Sequence, residues 1–172
     1  MKKLIFKSIL AGLLIGIASC IFMSMKNKYI GALLFSIGLI SVILLKANLY
    51  TGKIGYVNNK KLFVESMIIL VINLISAYLI GLLYKLLVGA PIANVSARFI
   101  DFKWYSVLFK GMGTGILIYL GVELYKKNNN LIPVILVVMG FILGGMYHCI
   151  ADACYLGASE FNWSSLLYLL LV

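Results

Sequence analysis

GGMYHCIADACYLG, residues Gly144 to Gly157, decides how this chain is read. It carries the only histidine of the sequence, His148, with an aspartate four positions further on, Asp152. Directly before it runs the apolar stretch LIPVILVVMGFIL, residues 131–143. Ionisable groups are costly inside an apolar span and are kept mainly where they line a functional cavity. The paired glycines at 144 and 145 weaken a helix at that point, because glycine gives up the most backbone freedom on ordering. The stretch therefore reads as an apolar helix broken at membrane depth, with an imidazole at the break.

The composition gives the same setting. Of 172 residues, 63% are hydrophobic and 12% charged, and the mean hydropathy is +1.08. A soluble domain of this length would leave much of that apolar surface in water. Several runs approach or exceed the roughly 18 apolar residues of a spanning helix. The expectation is an all-α, multi-pass membrane protein forming a single transmembrane domain over residues 1–172. The net charge of +10 sits in short lysine flanks between apolar runs. It forms no basic face, which argues against nucleic acid as a partner.

The opening MKKLIFKSILAGLLIGIASCIFMSM has a basic start, but its apolar part runs on without a clear cleavage site. It reads as a first span, not a removable signal. Cys20, Cys149 and Cys154 lie in apolar surroundings and form no CxxC pair. They read as buried, inert thiols, and neither a metal site nor a cofactor is expected.

Along the chain, spans are expected at Lys7–Met25, Tyr29–Leu45, Glu65–Leu87, Trp104–Leu124 and Leu131–Tyr147. A sixth begins in FNWSSLLYLLLV, 161–172, and is too short to cross about 30 Å of hydrocarbon, so the last helix reads as incomplete and the chain as truncated. With the N-terminus inside, one side collects Lys2, Lys3, Lys7, Lys53, Lys60, Lys61, Lys126 and Lys127. The other has Lys26, Lys28, Lys85, Arg98, Lys103 and Lys110, a modest bias towards a cytoplasmic N-terminus in the cell membrane.

The second span also breaks, at Leu49-Tyr50-Thr51-Gly52. The two breaks lie roughly a hundred residues apart, each in the middle helix of a three-helix set, and three spans per set place the sets in opposite orientation. The repeats would cover about 4–89 and about 104–172. Interrupted helices at matching positions of inverted repeats are a sequence pointer to a transport site. Irregular backbone survives at that depth only where protein or a water-filled cavity receives it.

LLFSIGLISVILLKANLYTGK (33–53) and GFILGGMYHCIADACYLG (140–157) resemble the second- and fifth-helix stretches of the formate/nitrite transporter family. GMGTGILIYLGVELY (111–125) is similar to its fourth helix, and VINLISAYL (71–79) to its third. The resemblance covers about residues 8 to 160. It implies an aquaporin-like helix bundle, assembled as a homopentamer with one pore per protomer. Such pores conduct small monovalent weak-acid anions, with two apolar constrictions around a central histidine. Carried over, one constriction falls on Phe35, Leu39 and Phe141, the other on Leu49, Tyr50 and Ile118, and the pore centre on Thr51 and His148. The vestibule cation falls on Arg98, where lysine is usual. The sequence departs from the family at Gly115 (usually asparagine), Tyr147 (usually glutamate), Asp152 (usually asparagine) and Lys46 (usually a small residue).

The chemistry fits this implication. An imidazolium can donate to, or protonate, formate, nitrite or hydrosulfide, and imidazole titrates near pH 6.5 unperturbed. The neutral acid then crosses an apolar constriction more cheaply than its anion. Thr51 offers a hydroxyl that can hold the ring or the anion. Arg98 and Lys103 are candidates for an anion-attracting funnel, or are ordinary interfacial charges. Lys46, Asp152 and Asn48 are polar residues of open role; the two charged ones could face the pore, pair with another charge or snorkel to the surface. Asp152 lies about one turn beyond His148, so a direct pair would favour the charged ring. A membrane-embedded enzyme built on His148, Cys149, Asp152 and Cys154 would lack a second histidine and a carboxylate pair. An aquaporin-type neutral-solute channel would lack its asparagine-proline-alanine motifs, since the only prolines are Pro91 and Pro133. A nonconducting remnant of the anion channel is a further alternative.

Overall fold

Seven α-helices succeed one another in the computed structural model, which describes residues 1–89, 91, 94–100, 102–160 and 163–172. They are α1 (Lys2–Met23), α2 (Lys28–Leu44), α3 (Lys60–Val88), α4 (Trp104–Asn128), α5 (Ile132–Leu143), α6 (Cys149–Ala158) and α7 (Trp163–Leu171). Short 3-10 turns stand at Ile54–Tyr56 and Ser96–Phe99. By length and composition α1, α3 and α4 can each cross a membrane. Residues 161 and 162, where the sequence starts the sixth segment, lie outside the described residues.

The helix ends obey local chemistry. Asn27 caps α2 by accepting the Tyr29 and Ile30 N–H groups, and Asn59 caps α3 by accepting that of Leu62. Pro133 opens the first turn of α5, where a missing N–H costs nothing. Asn129 closes α4 in the left-handed conformation, which asparagine tolerates. Three helices run past the bounds expected from sequence: α1 and α3 start five residues earlier, at Lys2 and Lys60, and α4 ends four residues later, at Asn128. Lysines occupy those added turns, and their long stems cover apolar surface while the ammonium reaches water.

α1 packs on α2 and α3, α6 on α3 and α1, α2 on α5, and α4 on α5 and α7. α3 and α6 approach each other closely at the backbone level. A methyl group at Gly81 would overlap the Cys154 carbonyl, and one at Gly157 would overlap that of Tyr78. Small residues are what let two helices meet this closely in a membrane. Both expected interruptions are present, between α2 and α3 and between α5 and α6. Their continuations differ. The second resumes as the ten-residue α6, whereas the first yields only the 3-10 turn at Ile54–Tyr56 before α3 begins.

Candidate functional site

The two interruptions close in the same way. α2 ends with Lys46 N–H on Ile43 O (3.1 Å) and Ala47 N–H on Val42 O (2.9 Å). α5 ends with Gly145 N–H on Ile142 O (3.1 Å) and Met146 N–H on Phe141 O (2.9 Å). Lys46 (φ 51°) and Gly145 (φ 63°) take the left-handed position between these bonds. This is the paired-bond helix ending that glycine normally supplies. Lys46 therefore occupies a glycine-type position, 99 residues before Gly145 (145 − 46), and its role is first a backbone one. Its side chain is exposed, and its carbonyl accepts from Lys7 Nζ at 2.8 Å.

The polar backbone freed by the first break is taken up by neighbouring helices. Asn73 of α3 is fully buried. Its Oδ1 accepts the Tyr50 N–H (2.9 Å), and its Nδ2 donates to Asn48 O (3.1 Å) and Ser8 O (2.7 Å). Asn48 is itself tied to α1, donating its backbone N–H to Lys7 O (3.0 Å) and its Nδ2 to Leu4 O (3.3 Å). These bonds fix Leu49-Tyr50-Thr51 against α1 and α3. Sequence reasoning assigns no role to Asn73; a lone asparagine in an apolar span is its signal, since such a residue must find partners.

The second break presents His148. It is the N-cap of α6, and its Nδ1 accepts the Ala151 N–H at 3.1 Å. An Nδ1 acting as acceptor carries no proton, so the neutral ring holds its proton on Nε2. That atom lies 3.1 Å from Thr51 Oγ1, so the ring donates to the threonine, whose own hydroxyl hydrogen remains free to donate elsewhere. Protonating Nδ1 would require releasing the Ala151 cap. The Phe141 ring stacks on the imidazole (centroids 5.8 Å, 18°) and meets Phe35 edge-on at 6.1 Å.

Asp152 is 0% exposed. It does not touch the imidazole. Its Oδ2 accepts the backbone N–H of His148 (3.1 Å) and the Tyr168 hydroxyl (3.2 Å), and its Oδ1 faces Arg98 at 2.5 Å. Of the roles left open by sequence, pairing with another charge is the one observed. Arg98 also lies over the rings of Tyr155 (4.9 Å) and Tyr147 (5.6 Å).

Two cavities lie near opposite ends of α4. One of about 520 Å³ is bounded by Leu39, Lys46, Asn48, Leu49, Tyr56 and Lys126. Leu39, expected beside Phe35 and Phe141, thus shares a wall with Leu49. The other, about 320 Å³, is bounded by Arg98, Phe102, Lys103, Ser106 and Tyr147. Ile118 is buried on α4 and Tyr50 is half-buried in the first break. Thr51 and Gly115 also border a third cavity, about 370 Å³. Below the first break, the Tyr56 hydroxyl donates to Glu123 and Lys126 sits over the Tyr56 ring at 3.9 Å. Burial first, and then the Glu123 carboxylate, push the Tyr56 phenol above its usual range.

The family model described as formate/nitrite transporter matches residues 1–170. No curated protein matches the sequence. Among solved structures, one titled "FNT family ion channel" superposes with a TM-score of 0.83 at 18% identity, over 98% of this chain and 83% of that one. Another, "Pentameric formate channel with formate bound", superposes with a TM-score of 0.75 at 21% identity, over 98% of this chain and 80% of that one.

Proposed function

Because this chain belongs to the formate/nitrite transporter family, we propose that it carries small monovalent weak-acid anions, namely formate, nitrite or hydrosulfide, across the cell membrane. Each protomer has its own pore, and the protein works as a homopentamer with its N-terminus in the cytoplasm. Two repeats, about 4–89 and about 104–172, meet where their broken middle helices face each other. The matching helix endings at Lys46 and Gly145 support that repeat. So does the pairing of α1 with α2 and of α4 with α5, joined through α2 and α5.

The observation that carries the reading is the contact of Thr51 Oγ1 with His148 Nε2 at 3.1 Å. It puts one hydroxyl and one imidazole, from two breaks, at one buried point flanked by apolar side chains. An anion drawn in past Lys103 meets the free hydroxyl hydrogen of Thr51 and the ring beside it. The imidazolium, formed when Nδ1 takes a proton and the Ala151 cap opens, gives its Nε2 proton to the anion. The products are neutral imidazole and neutral acid. The acid passes the Phe35, Phe141, Leu39, Leu49, Tyr50 and Ile118 side chains far more cheaply than the anion would.

The test is flux into proteoliposomes supplied from outside with formate, nitrite or hydrosulfide in turn. Saturable flux of at least one of them, faster with an inward proton gradient, is the expected result. Flux no greater than in empty vesicles for all three would reject the reading.

A further inference from the structure

We infer that Arg98 and Asp152 act as one neutral unit that positions the His148 backbone, leaving the steering of anions at that mouth to Lys103 and Lys110. The flux arm of this inference rests on the proposed transport function; the pairing arm does not.

The unit joins three separate segments. Arg98 comes from the 3-10 turn Ser96–Phe99, Asp152 from α6 and Tyr168 from α7. Asp152 accepts from Arg98, Tyr168 and the His148 N–H. A fully buried carboxylate needs such a set, because an uncompensated charge there is strongly unfavourable. The carboxylate also sits in the first turn of α6, where the helix N-terminus favours negative charge. Together these contacts hold the break residue that presents the imidazole to Thr51.

The same pairing removes Arg98 as an attractor. A cation with its counter-charge at 2.5 Å presents a short dipole to a distant anion, not a net positive charge. Lys103 and Lys110 make no ion pair among the described residues. Lys103 borders the 320 Å³ cavity, and Lys110 Nζ lies over the Tyr147 ring at 4.7 Å. The sequence carries arginine and aspartate where the family usually has lysine and asparagine, so both members of the pair are departures.

The experiment uses the full chain in proteoliposomes with formate as the probe, reading maximal flux and half-saturating concentration separately. Arg98→Gln/Asp152→Asn replaces an ion pair with an amide pair and keeps an acceptor for the His148 N–H. Its half-saturating formate concentration should stay within about twofold of the parent, since the net charge at the mouth is unchanged. Lys103→Ala should raise that concentration by roughly threefold or more. Asp152→Ala removes the acceptor, and maximal flux should fall by about tenfold or more as the break loosens. An increase of roughly fivefold in half-saturation in the double variant would show that the Arg98 charge acts on the anion. Parent-level maximal flux in Asp152→Ala would show that His148 does not need the carboxylate. Either result overturns the inference.

If the parent moves none of the three anions, the transport reading fails and thermal unfolding of the solubilised protein decides the pairing. Arg98→Gln and Asp152→Asn should each lower the midpoint, and the double variant should regain most of the loss, because the two residues are coupled. Additive losses would overturn it.

Discussion

Thr51 and His148 are 97 residues apart in sequence and hydrogen-bonded at 3.1 Å. Each sits where a helix has been stopped by the same two-bond ending. The contact is buried, and its geometry assigns the donor: Nδ1 is occupied by the Ala151 N–H, so the proton between ring and hydroxyl belongs to Nε2 in the neutral state. A hydroxyl that accepts from such a donor is polarised to donate its own hydrogen.

His148→Asn should keep the fold, because asparagine is a strong helix N-cap and can still accept from Ala151. It cannot take up the proton. Flux measured between about pH 5 and 8, around the unperturbed imidazole value, should lose its pH dependence. Cys149, Asp152, Arg98 and Tyr147 remain in place, so a parent-like profile in folded His148→Asn would remove the ring from the mechanism.

Thr51→Ala deletes the hydroxyl and leaves α6 capped by His148 Nδ1. Losing one hydrogen bond in the transport step is worth about 1 kcal/mol, or roughly fivefold in rate. Maximal flux should fall by that order while the pH profile keeps its shape. Unchanged flux would leave Thr51 as a loop residue only.

Asn73→Ala strands the Tyr50 N–H and frees two carbonyls. A loss of about 2–4 kcal/mol in stability is expected from the unsatisfied groups, read as a clear drop in the unfolding midpoint of the solubilised protein. A midpoint within error of the parent would mean that water replaces the side chain.

Lys46→Gly should stabilise. A non-glycine residue in the left-handed region costs about 1 kcal/mol, and glycine relieves it. The midpoint should rise or hold, whereas Lys46→Val, branched next to the backbone, should lower it. A falling midpoint for the glycine variant would assign Lys46 a side-chain role.

The native mass of the solubilised particle is expected to be that of five chains. A monomer that still conducts in vesicles would contradict the pentamer and leave the pore untouched.

The fold was legible because its strongest signals are local. Gly144-Gly145 and the polar run after Leu45 each end an apolar helix in full view of the sequence, and the membrane spans emerge from composition. The partner choices were less visible. Asn73 bonds three backbone groups that lie far from it in sequence, and nothing in VINLISAYL names them. Asp152 sits one turn from His148, so a direct pair with the ring was one of several roles the sequence left open. The structure gives the carboxylate to Arg98, 54 residues away, and leaves only the backbone N–H of His148 in contact. The role of Lys46 stayed open between pore, partner charge and surface, because its left-handed backbone is not written in its side chain.

At Gly81 and Gly157 the backbones of α3 and α6 interlock so closely that sliding one helix past the other by a turn would bring the methyl of Ala77 or Ala153 into a slot sized for hydrogen. Backbone overlap opposes shear along that seam. α3 and α6 must therefore travel together as a single stiff strut, carrying Asn73 and His148 with them. Any motion that widens the conduit has to be absorbed elsewhere, at the two irregular segments where helical hydrogen bonding is already interrupted.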